Sequence, residues 1–198
     1  MTHGNEATSA LSSAERSAFR SAAGRFATGV VVVTSLTDDV PLGVTVNAFS
    51  TVSLDPLLVL VSLQNTSRML TAIEQSEIFA VTVLAADQKY QAGWFANPRR
   101  PTGLASFGGE TMFAGPATGC PVLAEGLAFF DCRLHAAHPS GDHVILVGEV
   151  LSFDQMRRAA PLLFANGEFG VGDQPSADAV SDRGVSTAAR ALSVTTRR

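Results

Sequence analysis

The stretch Gly43-Val44-Thr45-Val46-Asn47-Ala48-Phe49-Ser50-Thr51-Val52-Ser53-Leu54-Asp55-Pro56, continued by Leu57-Leu58-Val59-Leu60-Val61-Ser62-Leu63, decides the fold. Its first part alternates. Val44, Val46 and Ala48 share one side of an extended chain, and Thr45 and Asn47 share the other, so it reads as a strand with one polar face. Asp55-Pro56 breaks the chain. Leu57–Leu63 is almost wholly apolar, which predicts a strand buried on both faces. Strand follows strand here with no helix between them, so the sheet is expected to be antiparallel rather than doubly wound.

The same character extends outward. Upstream, Val30–Thr34 is a β-branched run, and Asp38-Asp39 with Pro41 is turn material before the alternating strand. Ser12 with Glu15 three positions on forms a capping box. Ala18, Phe19, Ala22, Ala23 and Phe26 then recur at helical spacing up to Gly29. Downstream, Thr66 is the expected N-cap of a short helix with Met69, Leu70 and Ile73 as its buried stripe. Ile78–Leu84 reads as a strand, Asp87–Ala92 as one or two helical turns, and Asn97–Gly109 as a long loop. Leu127–Leu134 and His143–Phe153 form a hairpin around Ser140-Gly141-Asp142. Met156–Phe164 starts with a helical pattern that Pro161 limits. The expected class is α+β, mainly β: an antiparallel barrel with short flanking helices.

Composition bounds the functions. The chain has 198 residues, of which 46% are hydrophobic and only 16% charged, the opposite of a disordered chain. A net charge of -4 gives no basic field for nucleic acid. No apolar run approaches the ~20 residues of a membrane helix, and Met1–Ser13 lacks the pattern of a signal peptide. Cys120 and Cys132 make no disulfide framework, which suits a reducing, cytoplasmic setting. One domain is expected over residues 14–170, after a flexible N-terminus at 1–13 and before a mobile tail at 171–198 that holds no aromatic residue. Within that tail Ser186–Val194 has helical spacing but little to bury.

Familiar catalytic signatures are missing. No G-x-G-x-x-G opens a helix, and Gly109 stands after Gly103 and Gly108 where a phosphate loop needs Lys. There is no nucleophile elbow and no H-E-x-x-H. His135 and His138, three apart at a strand end, face opposite sides, which disfavours a metal site. His143 opens a strand directly after a tight turn. What remains is a polar constellation: Thr45, Asn47, Ser50 and Thr51 on one strand, Ser62-Leu63-Gln64-Asn65 at the end of the next, and Thr66-Ser67-Arg68 at a helix start. A helix start with a hydroxyl and a guanidinium suits a phosphate. With no acid–base pair or activated nucleophile in view, a cofactor that carries its own chemistry is the economical reading, and a flavin matches these partners.

These segments resemble the short-chain flavin reductase family. The resemblance rests on Phe26-Ala27-Thr28-Gly29-Val30 running into Val31–Thr34, on Gly43–Pro56 with Leu57–Leu63, on Phe95-Ala96, on Gly141-Asp142-His143-Val144-Ile145 with Gly148-Glu149-Val150, and on Pro161–Phe164 through Gly167. It spans residues 15–170 in order. It implies an FMN-binding split β-barrel of Greek-key type that dimerises with flavin at the dimer interface. It also implies an NAD(P)H:flavin oxidoreductase that reduces FMN or FAD with NADH or NADPH by direct hydride transfer, nicotinamide C4 to flavin N5. The reduced flavin would diffuse to a separate flavin-dependent monooxygenase. Carried over by position, Thr45, Val46, Asn47, Ala48, Ser50 and Thr51 line the flavin ring and its chain. Ser62, Leu63 and Gln64 reach the ring edge or ribityl, and Ser67 and Arg68 hold the phosphate. His143 sits on the nicotinamide side as the catalytic candidate, with Phe95 and Phe164 completing the site. Two alternatives stay open: a pyridoxamine-phosphate-oxidase-like or non-catalytic flavin- or haem-binding split barrel, and a barrel that binds only a partner protein or small ligand. Arg99-Arg100 is a candidate for a 2′-phosphate or simply a solvated pair.

Overall fold

The computed structural model describes residues 11–171. The polypeptide begins with α1 (Ser13–Ala23) and a short β1 (Thr28–Gly29), then lays down β2 (Val31–Thr37), β3 (Val40–Val46), β4 (Phe49–Leu54) and β5 (Leu57–Gln64). After α2 (Arg68–Ser76) come β6 (Ile78–Val83), a 3-10 turn at Ala86–Gln88, α3 (Lys89–Ala96) and a second 3-10 turn at Gly103–Phe107. The chain ends in β7 (Met112–Ala114), β8 (Pro121–Leu123), the long pair β9 (Ala128–Ser140) and β10 (His143–Gln155), and β11 (Leu162–Ala165) with β12 (Glu168–Val171).

Seven strands form one antiparallel sheet in the order β3-β2-β6-β9-β10-β5-β4. Its two edges, β3 and β4, are consecutive in the chain and joined only by the corner Asn47-Ala48. At that corner the Ser62 amide donates to the Ala48 carbonyl at 3.1 Å, but β3 and β4 share no ladder. The sheet therefore curls without closing, which is a split barrel. β5 and β6 follow one another in sequence yet have β9 and β10 between them, the return connection of a Greek key, with α2 in the crossing. The barrel interior is filled by Val31, Val33, Val46, Val59, Val61, Phe79 and Leu146, with Met69, Leu70 and Ile73 of α2 packed onto them. A second cluster of Val30, Val32, Leu84, Ala92, Phe95 and Phe107 ties α3 and the Gly103–Phe107 turn to the outer face of β2. A buried carboxylate, Asp131, accepts from the Ala117 amide at 2.8 Å and from the Thr118 amide and hydroxyl, pinning the loop between β7 and β8 to β9.

Several expectations are corrected by packing. Ala48 does not continue the buried face of Val44 and Val46, because the strand stops at Val46 and the corner leaves Ala48 exposed. β5 alternates: Val59, Val61 and Leu63 are buried, while Leu58, Leu60 and Ser62 are half-buried and Leu57 is 37% exposed, since the described residues cover the second face only in part. Ser67, not Thr66, caps α2, its hydroxyl accepting from the Met69 amide at 3.3 Å. Asn97–Gly109 is not a plain loop, because its 3-10 turn buries Ser106 and Phe107. Asp87–Ala92 lengthens into α3, and β9 runs on through His135 and His138 to Ser140. Met156–Phe164 forms no helix, since Leu162 joins a strand and pairs with β12. The apolar stripe of α1 exists but buries nothing, with Phe19 72% exposed. The tail from residue 172 and its candidate helix Ser186–Val194 lie outside the described residues.

Candidate functional site

The polar constellation assembles along β3. A two-residue turn, Asp38-Asp39, both with positive φ, joins β2 to β3 and pairs Thr37 with Val40. In such a hairpin Val40, Leu42, Val44 and Val46 exchange hydrogen bonds with β2, so the backbone groups of Pro41, Gly43 and Thr45 point to the unpaired edge. That edge runs between two hollows.

The larger hollow is a cleft of about 630 Å³ at the Asn47-Ala48 corner. One wall is Phe19, Ala23 and Phe26 from the α1 region, and the other is Phe49, Ser50 and Leu60 from β4 and β5. Phe164, its ring tilted against Phe169 at 5.5 Å, closes one side, and the Asn47 side-chain amide donates to the Thr28 hydroxyl at 3.4 Å. Arg20 is the charged residue of this wall. Beside it, β5 and the β9–β10 turn are locked together. The Asn65 amide donates to the Asp142 carbonyl at 3.0 Å, its side chain to the Gly141 carbonyl at 3.0 Å, and His143 lies opposite Gln64 in register. His143 Nδ1 is 2.7 Å from Asp142 Oδ1. That hydrogen bond and the field of His143 hold the Asp142 carboxyl below its ordinary range, and Arg20 pulls the same way.

The smaller hollow, about 210 Å³, sits at the other end of the edge, between Gly43-Val44 and the first turn of α2. Ser67 and Arg68 line it, with the helix N-terminus behind them. Arg100 lines it too and is 9% exposed. Its guanidinium donates to the carbonyls of Phe95 at 2.9 Å, Asn97 at 3.0 Å and Gly43, while its buried Nε has no partner. Desolvation lowers its pKa from the ordinary value, and the nearby positive charge of Arg68 adds to that. Neither arginine pairs with a carboxylate among the described residues. Two cations and a helix N-terminus converging on a hollow without a counter-charge make an anion site.

The predicted site residues divide. Asn47, Ala48, Ser50 and Phe164 line the cleft, and Ser67 and Arg68 line the anion hollow. Gln64 and His143 meet at the neighbouring strand ends, and half-buried Ser62 lies between Ala48 and Ile145. Thr51 is exposed on β4 beside a register shift. Val46 and Leu63 are buried in the barrel and their backbones pair with β2 and β10, so neither presents a group to the cleft or the hollow. The Thr45 hydroxyl is spent on the Ala92 carbonyl at 2.7 Å and binds α3 to β3. Phe95 is fully buried, edge-on to Phe107 at 5.3 Å, and supports Arg100 from below at 5.5 Å. The pattern missed Phe19 and Arg20, and it weighed Arg100 only as a 2′-phosphate candidate or a solvated residue. Phe19 stood in the apolar stripe of the first helix, and Arg20 was not singled out. Arg100 stood in a Pro-flanked loop, where nothing in the spelling marks a buried cation.

This geometry suits a flavin by its own chemistry: an apolar aromatic-walled cleft for a flat ring, an unpaired strand edge for ring and chain polar groups, and an anion hollow for phosphate. Comparison with known proteins agrees. A model described as a flavin reductase like domain matches residues 23–173. The chain is 40% identical over 151 residues to the reductase subunit HsaB of a flavin-dependent monooxygenase from Rhodococcus jostii (strain RHA1), covering 76% of this chain and 75% of that protein. It is 43% identical over 152 residues to the FMN reductase (NADH) SmoA of Agrobacterium fabrum, covering 77% and 83% respectively. The crystal structure of BorF, the flavin reductase component of a bacterial two-component tryptophan halogenase, superposes with a TM-score of 0.76 at 36% identity, covering 81% of this chain and 99% of that one. Relatives bear names for FMN and for FAD reduction, and for NADH and for NADPH as donor.

Proposed function

The chain belongs to the flavin reductase-like family, and from that premise we propose that it is an NAD(P)H:flavin oxidoreductase. It reduces FMN or FAD and supplies the reduced flavin to a separate flavin-dependent monooxygenase. The observation that carries this reading is the continuity of an aromatic-walled cleft, an open strand edge and an anion hollow along β3.

When bound, the flavin supplies the hydride-accepting chemistry. The chain's own residues bind and orient. Asn47, Ala48 and Ser50 line the ring, with Phe164 at the mouth. Ser62 and Gln64 follow the ring edge and ribityl chain, and Thr51 flanks it. Thr45 and Phe95 hold the strand edge from behind. Ser67 and Arg68 take the phosphate, and Arg100 completes its charge. His143, oriented by Asp142, contacts the nicotinamide nucleotide. Holding two reactants in line contributes several kcal/mol of barrier reduction, on the order of 7–11 at the upper end. The outward amides of the β3 edge favour negative charge developing on the ring.

The working unit is a homodimer. Phe19, Phe26, Val52, Leu54 and Phe153 are all exposed, and the outer face of β5 is only half-covered by the described residues. A second copy would cover these surfaces and close the cleft. No helix among the described residues is long and apolar enough to cross a membrane. The unpaired Cys120 and Cys132 suit the cytoplasm.

The test is oxidation of NADH and NADPH by the purified protein with FMN, FAD or riboflavin in excess. Many turnovers that depend on added flavin are expected. Tight flavin binding with no oxidation of either nucleotide would instead favour an oxidase-like or purely binding split barrel.

A further inference from the structure

We propose that the flavin this chain prefers is the dinucleotide FAD, with its adenylate half seated in a third hollow beside α2. The proposal rests on the flavin reading above and goes beyond it by choosing between the two flavins.

The third hollow measures about 420 Å³ and adjoins the anion hollow, the two sharing Leu42 and Arg68 as walls. Val40 and Pro41 of the β2–β3 hairpin form one side, and Thr71 and Gln75 on the exposed flank of α2 form the other. Thr102 and Gly103 close the end, with Gly103 in the left-handed region at φ 64 and its missing Cβ 3.8 Å from Val40 Cγ1. Val40 is 54% exposed there.

Three spaces are thus strung along one strand. The ring-sized cleft is at Asn47-Ala48, the anion hollow at Gly43-Val44, and the third hollow at Val40–Leu42. At ~3.3 Å per residue the line from Asn47 to Val40 covers roughly 23 Å. Flat ring, phosphate, then nucleoside is the order of groups in a flavin adenine dinucleotide. A mononucleotide ends at Ser67 and Arg68 and leaves Val40 wet.

The charges agree. Arg68 stands at the wall between the second and third spaces, and the buried Arg100, with its unpaired Nε, lines the second. A diphosphate linker places one phosphate at the α2 N-terminus and the next against Arg68 on the way to the third hollow. The hydroxyls of Thr71 and Thr102 and the Gln75 amide offer partners for a ribose or an adenine edge. The Thr37 hydroxyl is already committed to the Ala72 carbonyl at 3.3 Å. No lining residue of the third hollow is acidic, although Asp38 and Asp39 of the hairpin turn stand next to Thr37 and Val40 at its rim.

The test is equilibrium titration of the flavin-free full-length protein with FAD, FMN and riboflavin, followed by flavin fluorescence. FAD is expected to bind at least tenfold tighter than FMN. Thr71→Trp, which fills the third hollow from a solvent-facing helix position, should collapse that ratio toward one by weakening FAD. Gln75→Trp fills the same space from one turn further on and guards against a local effect of the first substitution. Equal or tighter binding of FMN by the wild type overturns the proposal, as does an unchanged ratio in both variants. Failure to bind any of the three flavins removes the flavin reading itself, and this inference with it.

Discussion

Helices α1 and α2 are spelled alike and end up in opposite surroundings. Each starts on a serine whose hydroxyl accepts from the first turn, and each carries apolar residues at helical spacing. α2 buries Met69, Leu70, Ala72 and Ile73, closing the bottom of the barrel. α1 buries none of its residues and turns Phe19 and Ala23 into the wall of the large cleft. The pattern in a sequence announces that a face will be covered, not what will cover it. For α2 the cover is the chain's own core. For α1 no cover is found among the described residues, and the proposed flavin and second copy would supply it.

The sharpest way to break the comparison is a truncation on the buried helix. Ile73→Ala should cost about 2–5 kcal/mol of unfolding free energy in a urea titration, the range for deleting a fully buried aliphatic side chain. Phe19→Ala should move the same curve at dilute protein by less than about 0.5 kcal/mol. It should, however, weaken self-association in sedimentation velocity. If Phe19→Ala proved as costly as Ile73→Ala, α1 would belong to the core after all.

The next effect separates the caps. Ser67→Ala with Arg68→Ala should raise the flavin dissociation constant about tenfold or more, since a charge-assisted phosphate contact is worth ~1.5–3 kcal/mol. Ser12→Ala should leave flavin affinity within twofold and show itself only as faster hydrogen exchange of the Arg16–Ala23 amides. A smaller effect is expected at the strand-end pair. His143→Ala should raise the KM for NADH or NADPH severalfold while flavin affinity is kept, and unchanged nucleotide kinetics would take His143 out of the site. The smallest response should come from the thiols. Burial pushes Cys120 up to about 11 and Cys132 higher still, so at pH 8 the folded protein should stay silent toward a disulfide reagent. Both should react once guanidinium unfolds the chain.

Much of the barrel was legible because its strands obey local rules. Val31–Thr37, the Asp38-Asp39 turn, the Asp55-Pro56 break and the hairpin at Gly141-Asp142 are each carried by residues that can do little else. What was not legible depends on long-range contacts. Leu57–Leu63 reads as doubly buried because spelling cannot distinguish a core from a face awaiting another surface. Phe95 belongs to the segment that carried the resemblance, yet its ring turns inward, edge-on to Phe107, and fills the space left by Gly43, whose Cβ would stand 2.7 Å from Phe95 Cε1. Ser67 and Arg68 could be found from helix-start chemistry. Arg100 could not, since its burial follows from three carbonyls that only the folded chain brings together.

The corner at Asn47-Ala48 has a consequence for how the protein behaves in a crowded solution. Because β3 and β4 are neighbours in sequence, one short segment owns both margins of the main sheet, and each margin is blunted in a different way. Pro41 removes an outward amide from β3, and Arg100 occupies the outward carbonyl of Gly43. β4 carries a register shift between Thr51 and Ser53 that spoils a straight row of partners. A stray extended peptide therefore meets no long template at either side. The same slot that admits a cofactor is shielded against fibril-like templating, which lets the barrel stay split and still remain colloidally quiet.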